Sequence, residues 1–251
     1  MSIGSKLYRT HTCENSMIWA KQHLDEAPDG AIFLADVLTN AYGRQDRTWS
    51  VQQGQLLVTF LLKPNNLATI NHDDLSIRLN QLTMALSLGI VEPLKQYGAG
   101  LKWPNDFVIK NKKLGGILVA VVWEGQIAKG VIIGFALNIN NLFDAQDPLA
   151  QSAISLKEAT GEEQSLRTIY TSILASLNTW YDHWKREQFM LIYKSWKEQQ
   201  VILGTHIQVH QKDGTLRSGI AKQVLPNGDL MLAGDDGKQQ TISFYQIEEI
   251  R

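Results

Sequence analysis

Apolar residues recur at helical spacing in three segments of the chain. One stripe covers residues 75–90 and a second covers residues 166–184. A shorter stripe at residues 17–24 stops before a Pro-Asp-Gly turn at residues 28–30. Apolar side chains spaced three and four apart lie on one face of an α-helix. The pattern therefore predicts two long amphipathic helices and a short one near the start of the chain.

Short apolar runs bounded by glycine, proline or polar turns predict β-strands between these helices. The predicted strands cover residues 31–37, 55–62, 101–102, 107–109, 116–123 and 130–138. Strands and helices do not alternate regularly, so a regular parallel βαβ arrangement is not expected. The sequence instead predicts an α+β fold in which helices pack on a mixed or antiparallel sheet.

The pattern changes from residue 204 onwards. Short alternating strands are separated by turns at residues 213–214, 226–228 and 236–237, a spacing typical of a small β-barrel. The residues expected to face inward there are Ile207, Val209, Val224, Leu230, Leu232 and Ile242. We therefore expect two domains, covering residues 1–203 and 204–251.

Composition narrows the classes of function. The chain has 24 Lys and Arg against 25 Asp and Glu, so it lacks the positive field that supports binding to nucleic acid. No apolar run is long enough to span a bilayer. Cys13 is the single cysteine, and the N-terminus lacks the apolar core of a signal peptide. These features predict a cytoplasmic protein with neither a nucleic-acid nor a membrane partner.

The densest group of candidate functional residues is the Lys-Trp-Pro-Asn-Asp sequence at residues 102–106, followed by Lys113. The turn presents an amide and a carboxylate, which can hold a nucleotide and orient a metal or a reacting group. Lys113, on the return arm of a hairpin, can meet a carboxylate or a phosphate. Gly115 and Gly116 can let a ligand approach the backbone. Taken singly, each piece is more often an ordinary turn or a strand bulge than a functional site.

In combination, these motifs resemble the catalytic domain of biotin-protein ligases. Residues 102–106 (KWPND) are followed in that family's order by KLGGIL at 113–118, GFALNIN at 134–140 and SLKE at 155–158. The C-terminal region is similar to the small SH3-like domain that follows the ligase core. The resemblance therefore covers nearly the whole chain.

The resemblance implies a class II synthetase-like ligase core and an ATP-dependent enzyme. Such an enzyme forms biotinyl-5'-AMP and passes biotin to a lysine of the biotin carboxyl carrier protein of acetyl-CoA carboxylase. The first motif begins at Asn15, which leaves no room for the helix-turn-helix domain of the ligases that also act as repressors. We therefore expect a minimal ligase without DNA binding; a homodimer is compatible with the sequence.

The resemblance also assigns roles to individual residues. Lys113, Arg44 and Asp106 are the expected catalytic groups. The residues expected to bind biotin are Asn15, Ser16, Met17, Leu38, Tyr42, Gly43, Arg44, Lys113, Gly115 and Gly116. Those expected to bind ATP are Arg44, Arg47, Trp49, Asn105, Asp106 and Asn138. Mg²⁺ would be held mainly through the phosphates of ATP.

Several positions depart from the family pattern, which reads Gly-Arg-Gly-Arg-x-Gly-Arg-x-Trp in the arginine-rich loop. Ala41 and Asp46 replace glycines, Tyr42 replaces an arginine, Leu38 stands where a glutamine is expected, and Ala136 replaces a further glycine downstream. A carboxylate at position 46 should weaken phosphate binding. Two alternatives therefore stay open: a lipoate-type acyl ligase, and a non-catalytic binding protein built on the ligase scaffold.

Overall fold

The computed structural model describes residues 2–64, 72–144 and 146–250, without the side chains of Asp46, His72, Asp73 and Tyr245. The strands of its N-terminal part are β1 (Leu7–Cys13), β2 (Ala31–Leu38), β3 (Ala41–Tyr42), β4 (Thr48–Trp49), β5 (Gln55–Leu62), β6 (Gly100–Lys102), β7 (Asp106–Ile109), β8 (Lys112–Glu124) and β9 (Ile127–Asn138). The six predicted strands are confirmed, with β8 and β9 starting earlier than expected.

Seven of these strands form one mixed sheet in the order β1-β2-β5-β9-β8-β7-β6. β1 and β2 run parallel, whereas the other neighbours run antiparallel. The expected mixed sheet is therefore confirmed. The pattern did not predict β1, because this strand lies at the sheet edge and its sequence, LYRTHTC, is largely exposed and polar.

Helices cover both faces of this sheet. They are α1 (Ser16–Gln22), α2 (His72–Val91), α3 (Leu156–Thr160), α4 (Leu166–Lys185) and α5 (Phe189–Glu198). The two long predicted helices correspond to α2 and α4, which pack against each other and against α5. Within the described ranges, none of the helices has the length and apolar character needed to cross a membrane.

Alternation along the central strands divides the apolar residues between two cores. Phe60 of β5 and Ile133 of β9 belong to the larger core beneath α2, α4 and α5. Leu61 and Ile132, one position away, belong to a smaller core with Ala20 of α1. Successive side chains of a strand point to opposite faces. The α1 face is therefore the more thinly covered side of the sheet.

The C-terminal part forms a separate antiparallel sheet. Its strands are β10 (His206–Gln211), β11 (Leu216–Val224), β12 (Leu230–Gly234), β13 (Gln239–Ile242) and β14 (Ile247–Ile250), in the order β13-β12-β11-β10-β14. All six residues predicted to face inward are buried. The buried Trp103 indole donates to the carbonyl of Gly228 at 2.8 Å, and Tyr193 donates to that of Val224 at 2.7 Å. These bonds attach the C-terminal sheet to the larger one.

Close packing of α2 and α4 depends on Gly89. A Cβ at this position would lie 2.7 Å from Cα of Leu177, which the backbone can accommodate only by moving the helices apart. We expect Gly89→Ala to lower the free energy of unfolding by about 1–3 kcal/mol, despite the better helix propensity of alanine. Chemical denaturation measures this, with the exposed Thr179→Ala on α4 as the control. Equal stability of the two variants would contradict the packing argument.

Candidate active site

A cavity of about 740 Å³ opens on the α1 face of the sheet, within the size range of small-molecule sites. Its floor is formed by aligned positions of three strands. These are Gln55, Leu57 and Thr59 of β5, Asn138, Ala136 and Gly134 of β9, and Gly116 and Leu118 of β8. The register of β5, β9 and β8 therefore decides which side chains a ligand meets.

Small residues give the floor its depth. Gly116, Gly134 and Ala136 occupy neighbouring register positions, so no bulky side chain rises from the centre of the floor. A Cβ at Gly134 would lie 2.9 Å from Sδ of Met17, which shows that α1 reaches over the floor at this point. The cavity thus lies between α1 and three strands.

Fourteen of the predicted site residues line this cavity. They are Asn15, Ser16, Met17, Leu38, Tyr42, Gly43, Arg44, Arg47, Trp49, Asn105, Asp106, Lys113, Gly116 and Asn138. Gly115 does not line the cavity, because a side chain at this position would lie on the opposite face of β8. A Cβ there would lie 2.2 Å from the carbonyl oxygen of Ala136. Strand packing, not ligand access, accounts for this glycine.

The hairpin of β7 and β8 brings together a charged pair. Nζ of Lys113 lies 2.7 Å from Oδ1 of Asp106 and 5.8 Å from the centre of the Trp49 indole ring. A Cβ at Gly116 would lie 3.3 Å from the same carboxylate oxygen, so the glycine leaves room beside the pair. The backbone of Lys113 is fixed by hydrogen bonds with Ser152 and Ile154. A cation and a carboxylate are therefore held at one wall of the cavity.

Arg44 lies on the same side as this pair, in the short β3–β4 hairpin. Its guanidinium donates to the carbonyl of Phe244 at 2.9 Å and to Oδ1 of Asn105, the neighbour of Asp106, at 3.4 Å. Burial lowers the pKa of Arg44, Asp106 opposes that shift and Arg47 adds to it. An arginine still keeps its proton in proteins. The cavity therefore contains a positive charge that is partly shielded from water.

The opposite end of the cavity is mostly apolar and carries a few hydroxyl and amide groups. Oγ of Ser16 and Oγ1 of the buried Thr59 are 2.7 Å apart. Asn15 caps α1 by accepting hydrogen bonds from two backbone amides. Leu38 lines this end and is only 8% exposed. The Asp46 side chain lies outside the described part of the structure, so its expected effect on phosphates stays a prediction.

Gln55 is a central residue that sequence reasoning missed. Its amide oxygen accepts from the Trp49 indole at 3.4 Å and from the backbone of Gln52 at 3.0 Å. Its amide nitrogen donates to Ser50 at 3.0 Å and to Oδ1 of Asn138 at 2.9 Å. One side chain thus holds two predicted nucleotide-binding residues in place. Only the strand register, which pairs Gln55 with Asn138, reveals this.

The C-terminal sheet also lines the cavity, which the predicted two-domain division did not anticipate. Residues 247–250 of β14 border it, together with Lys102 of the KWPND motif. Nζ of Lys102 donates to the carbonyl of Ile250 at 2.9 Å. The site is therefore formed by both sheets.

A family model described as the biotin/lipoate A/B protein ligase family matches residues 7–138, more than half of the chain. The chain belongs to this family. The matched region contains β1 to β9 and the whole cavity floor. The larger sheet and the floor of the cavity thus lie within the matched region.

Individual proteins to which the chain is similar are also named as ligases. The chain is 29% identical over 226 residues to the bifunctional ligase/repressor BirA of Bacillus subtilis, covering 87% of this chain and 66% of that protein, just under two thirds. It is 25% identical to a biotin--[acetyl-CoA-carboxylase] ligase of Paracoccus denitrificans, covering 78% of this chain and 81% of the relative. A biotin protein ligase from Aquifex aeolicus, solved with biotin and ATP, shares the fold with a TM-score of 0.81. That match is 22% identical and covers 98% of this chain and 99% of the other.

The hydrogen bonds of Gln55 generate a stability prediction. Gln55→Met keeps the length of the side chain but removes all four bonds, leaving polar partners in a partly buried place. We expect the free energy of unfolding to fall by about 1–3 kcal/mol. Denaturant titration measures this, with the exposed Gln53→Met as a matched control. A loss no larger than that of the control would show that the network does not order the floor.

Proposed function

We propose that the protein is an ATP-dependent biotin-protein ligase. It joins biotin to AMP and transfers the biotinyl group to a lysine of a biotin carboxyl carrier protein. The name of one relative, biotin--[acetyl-CoA-carboxylase] ligase, supports the biotin substrate. The observation that carries this proposal is the convergence of Lys113, Arg44 and Trp49 on one cavity whose other end is apolar. Two cations beside an aromatic ring suit a nucleotide, and the apolar end suits an acyl chain.

The first half-reaction requires positioning and charge neutralisation without an enzyme nucleophile. The carboxylate oxygen of biotin attacks the α-phosphorus of ATP, the bond to the β-phosphate oxygen breaks, and pyrophosphate leaves. Lys113 and Arg44 neutralise the negative charge that builds up around phosphorus. Arg47 contacts the outer phosphates. The indole of Trp49, held by Gln55, packs beside the adenine, and Asn138 holds the adenine side.

The second half-reaction transfers the acyl group. A neutral lysine amine of the carrier attacks the acyl carbon of the mixed anhydride, an amide forms and AMP leaves with the electron pair. The amine must lose a proton, and Asp106 is the carboxylate beside Lys113 that can accept it. When Lys113 contacts the substrate, Asp106 is released from its ion pair. The same pair therefore serves both halves of the reaction.

Mg²⁺ fits this donor set without a dedicated cage. Among the described residues, no group of three or more His, Cys, Asp or Glu side chains could hold a metal ion. Mg²⁺ commonly binds through one or two carboxylates together with substrate phosphates. Asp106 and Asn105 would supply oxygen atoms beside the phosphates, and the ion would add positive charge there.

Recognition of biotin would use groups at the apolar end. The hydroxyls of Ser16 and Thr59 and the amide of Asn15 can exchange hydrogen bonds with a ureido group. Tyr42 and the backbone at Gly43 also line the cavity, and Met17 and Leu38 supply apolar contact. Leu38 cannot supply the hydrogen bond expected of a glutamine, so the hydroxyl groups compensate for it.

We further assign the C-terminal sheet to an SH3-like barrel and place the domain boundary between residues 203 and 204. Its five antiparallel strands and buried interior support this. The carrier protein, a cytoplasmic location and a homodimer remain predictions from the family resemblance.

A transfer assay tests the proposed function. The protein is incubated with ATP, Mg²⁺, labelled biotin and a biotin carrier domain, and label on the carrier is measured. We expect label on the acceptor lysine, and none without ATP. Label transferred from lipoate but not from biotin would point to the lipoate-type alternative. No transfer from either acid would favour a non-catalytic binding protein.

A substitution of Lys113 tests the proposed first half-reaction most directly. We expect Lys113→Ala to slow adenylate formation by about 100- to 1,000-fold, because a cation is lost where transition-state charge develops. Lys112→Ala is the matched control, since its ammonium contacts the carbonyl of Ala150 outside the cavity. Single-turnover measurement of AMP transfer to biotin compares the two. Equal rates in both variants would remove the role of Lys113.

A further inference from the structure

Three backbone carbonyls of the C-terminal segment accept hydrogen bonds from side chains that line the cavity. Arg44 donates to Phe244 at 2.9 Å, and Lys102 donates to Ile250 at 2.9 Å. Gln45 donates to Ile247 at 2.7 Å. The three acceptors lie within residues 244–250, which we call the C-terminal strap. The arginine loop, residues 41–49, is therefore bound to an element about 200 positions away along the chain.

Phe244 holds Arg44 in a second way. The guanidinium carbon of Arg44 lies 4.4 Å from the centre of the Phe244 ring, within the range of a cation–π contact, which is stronger where water is excluded. The carbonyl and the ring of one residue thus both hold the guanidinium in position. The other charged contact, Arg47 to Glu248 at 3.5 Å, is exposed on both sides and contributes little.

The backbone conformation of the arginine loop also indicates that the C-terminal strap restrains it. Gln45 adopts a left-handed conformation with φ 57° and ψ 38°, which is unfavourable for a residue with a Cβ unless surrounding contacts maintain it. Its side-chain bond to the carbonyl of Ile247 is such a contact. The β3 and β4 strands have two residues each, and so short a hairpin is not stable alone. The loop therefore depends on the strap for its shape.

We propose that the C-terminal strap orders the arginine loop, and that Phe244 is a positioning residue for Arg44 in nucleotide binding. The second part rests on the proposed function, which gives Arg44 its phosphate. The nucleotide then meets a guanidinium that the strap holds in position.

Limited trypsin digestion of the ligand-free protein tests the ordering directly. Cleavage after Arg44 or Arg47 requires local opening of the loop, and mass spectrometry identifies the products. We expect Phe244→Ala to raise the rate of this cleavage about fivefold, from the loss of a desolvated cation–π contact. Phe244→Tyr, which keeps the ring, should match the wild type. Gln246→Ala is the control on the same strap, because its side chain contacts Gln211 and not the loop.

A second variant keeps the test decisive if Phe244→Ala does not fold. Gln45→Gly removes the bond to Ile247 while easing the left-handed backbone, so it should also raise loop cleavage. Unchanged cleavage in the folded variants would overturn the proposal.

Kinetics separate positioning from a purely structural role. We expect Phe244→Ala to lower kcat/KM for ATP about fivefold, because Arg44 contacts the phosphates both in binding and in the reaction, while the affinity for biotin stays within about twofold. Equal loss in every parameter would indicate general loosening of the fold and contradict the positioning role. If the wild type forms no adenylate, the proposed function fails. The trypsin result would still decide whether the strap orders the loop.

Discussion

On the central strands β9 and β8, three small residues lie on the α1 face of the sheet, whereas neighbouring positions carry large side chains that point to the helices on the other face. Phe60 and Ile133 pack beneath the helices, whereas Gly134, Ala136 and Gly116 face the α1 side. Because a one-residue slip would exchange the two faces, the cavity exists only in this register. The stability of the larger core therefore also maintains an open space on its far side.

Charge is distributed unevenly around that space. Lys113, Arg44 and Arg47 come from two hairpins and all line the cavity, with Lys113 close to the indole ring of Trp49. Hydroxyl and amide groups lie at the apolar end. Such an arrangement can hold a polyanion and an uncharged ring at a fixed separation, which suits a reaction driven by positioning. The C-terminal strap completes the charged end, so the two sheets act as one site.

Much of the fold and part of the site could be predicted from the sequence. β5 and the helices α2 and α4 followed from strong apolar periodicity, and the KWPND and Lys113 motifs indicated the charged wall. β1 was missed because an exposed edge strand has no apolar alternation to recognise. Gly115 and Gly116 are the same residue type one position apart. The sequence alone does not tell which of them faces the ligand, since that depends on register.

The contacts that were missed are those between distant segments. Gln55 became recognisable only when the strands placed it beside Trp49 and Asn138. Phe244 lies in a region whose turns predicted a separate small barrel, and nothing in that pattern indicates a contact with Arg44. Such residues act through tertiary geometry, which local periodicity and short motifs do not contain.

The proposed function requires this cavity to activate the carboxylate of biotin with ATP. Exchange of labelled pyrophosphate into ATP, measured with biotin, with lipoate and with no added acid, reports that step without a carrier protein. We expect exchange that depends on biotin. Exchange that is absent with biotin, or that lipoate supports instead, would contradict it.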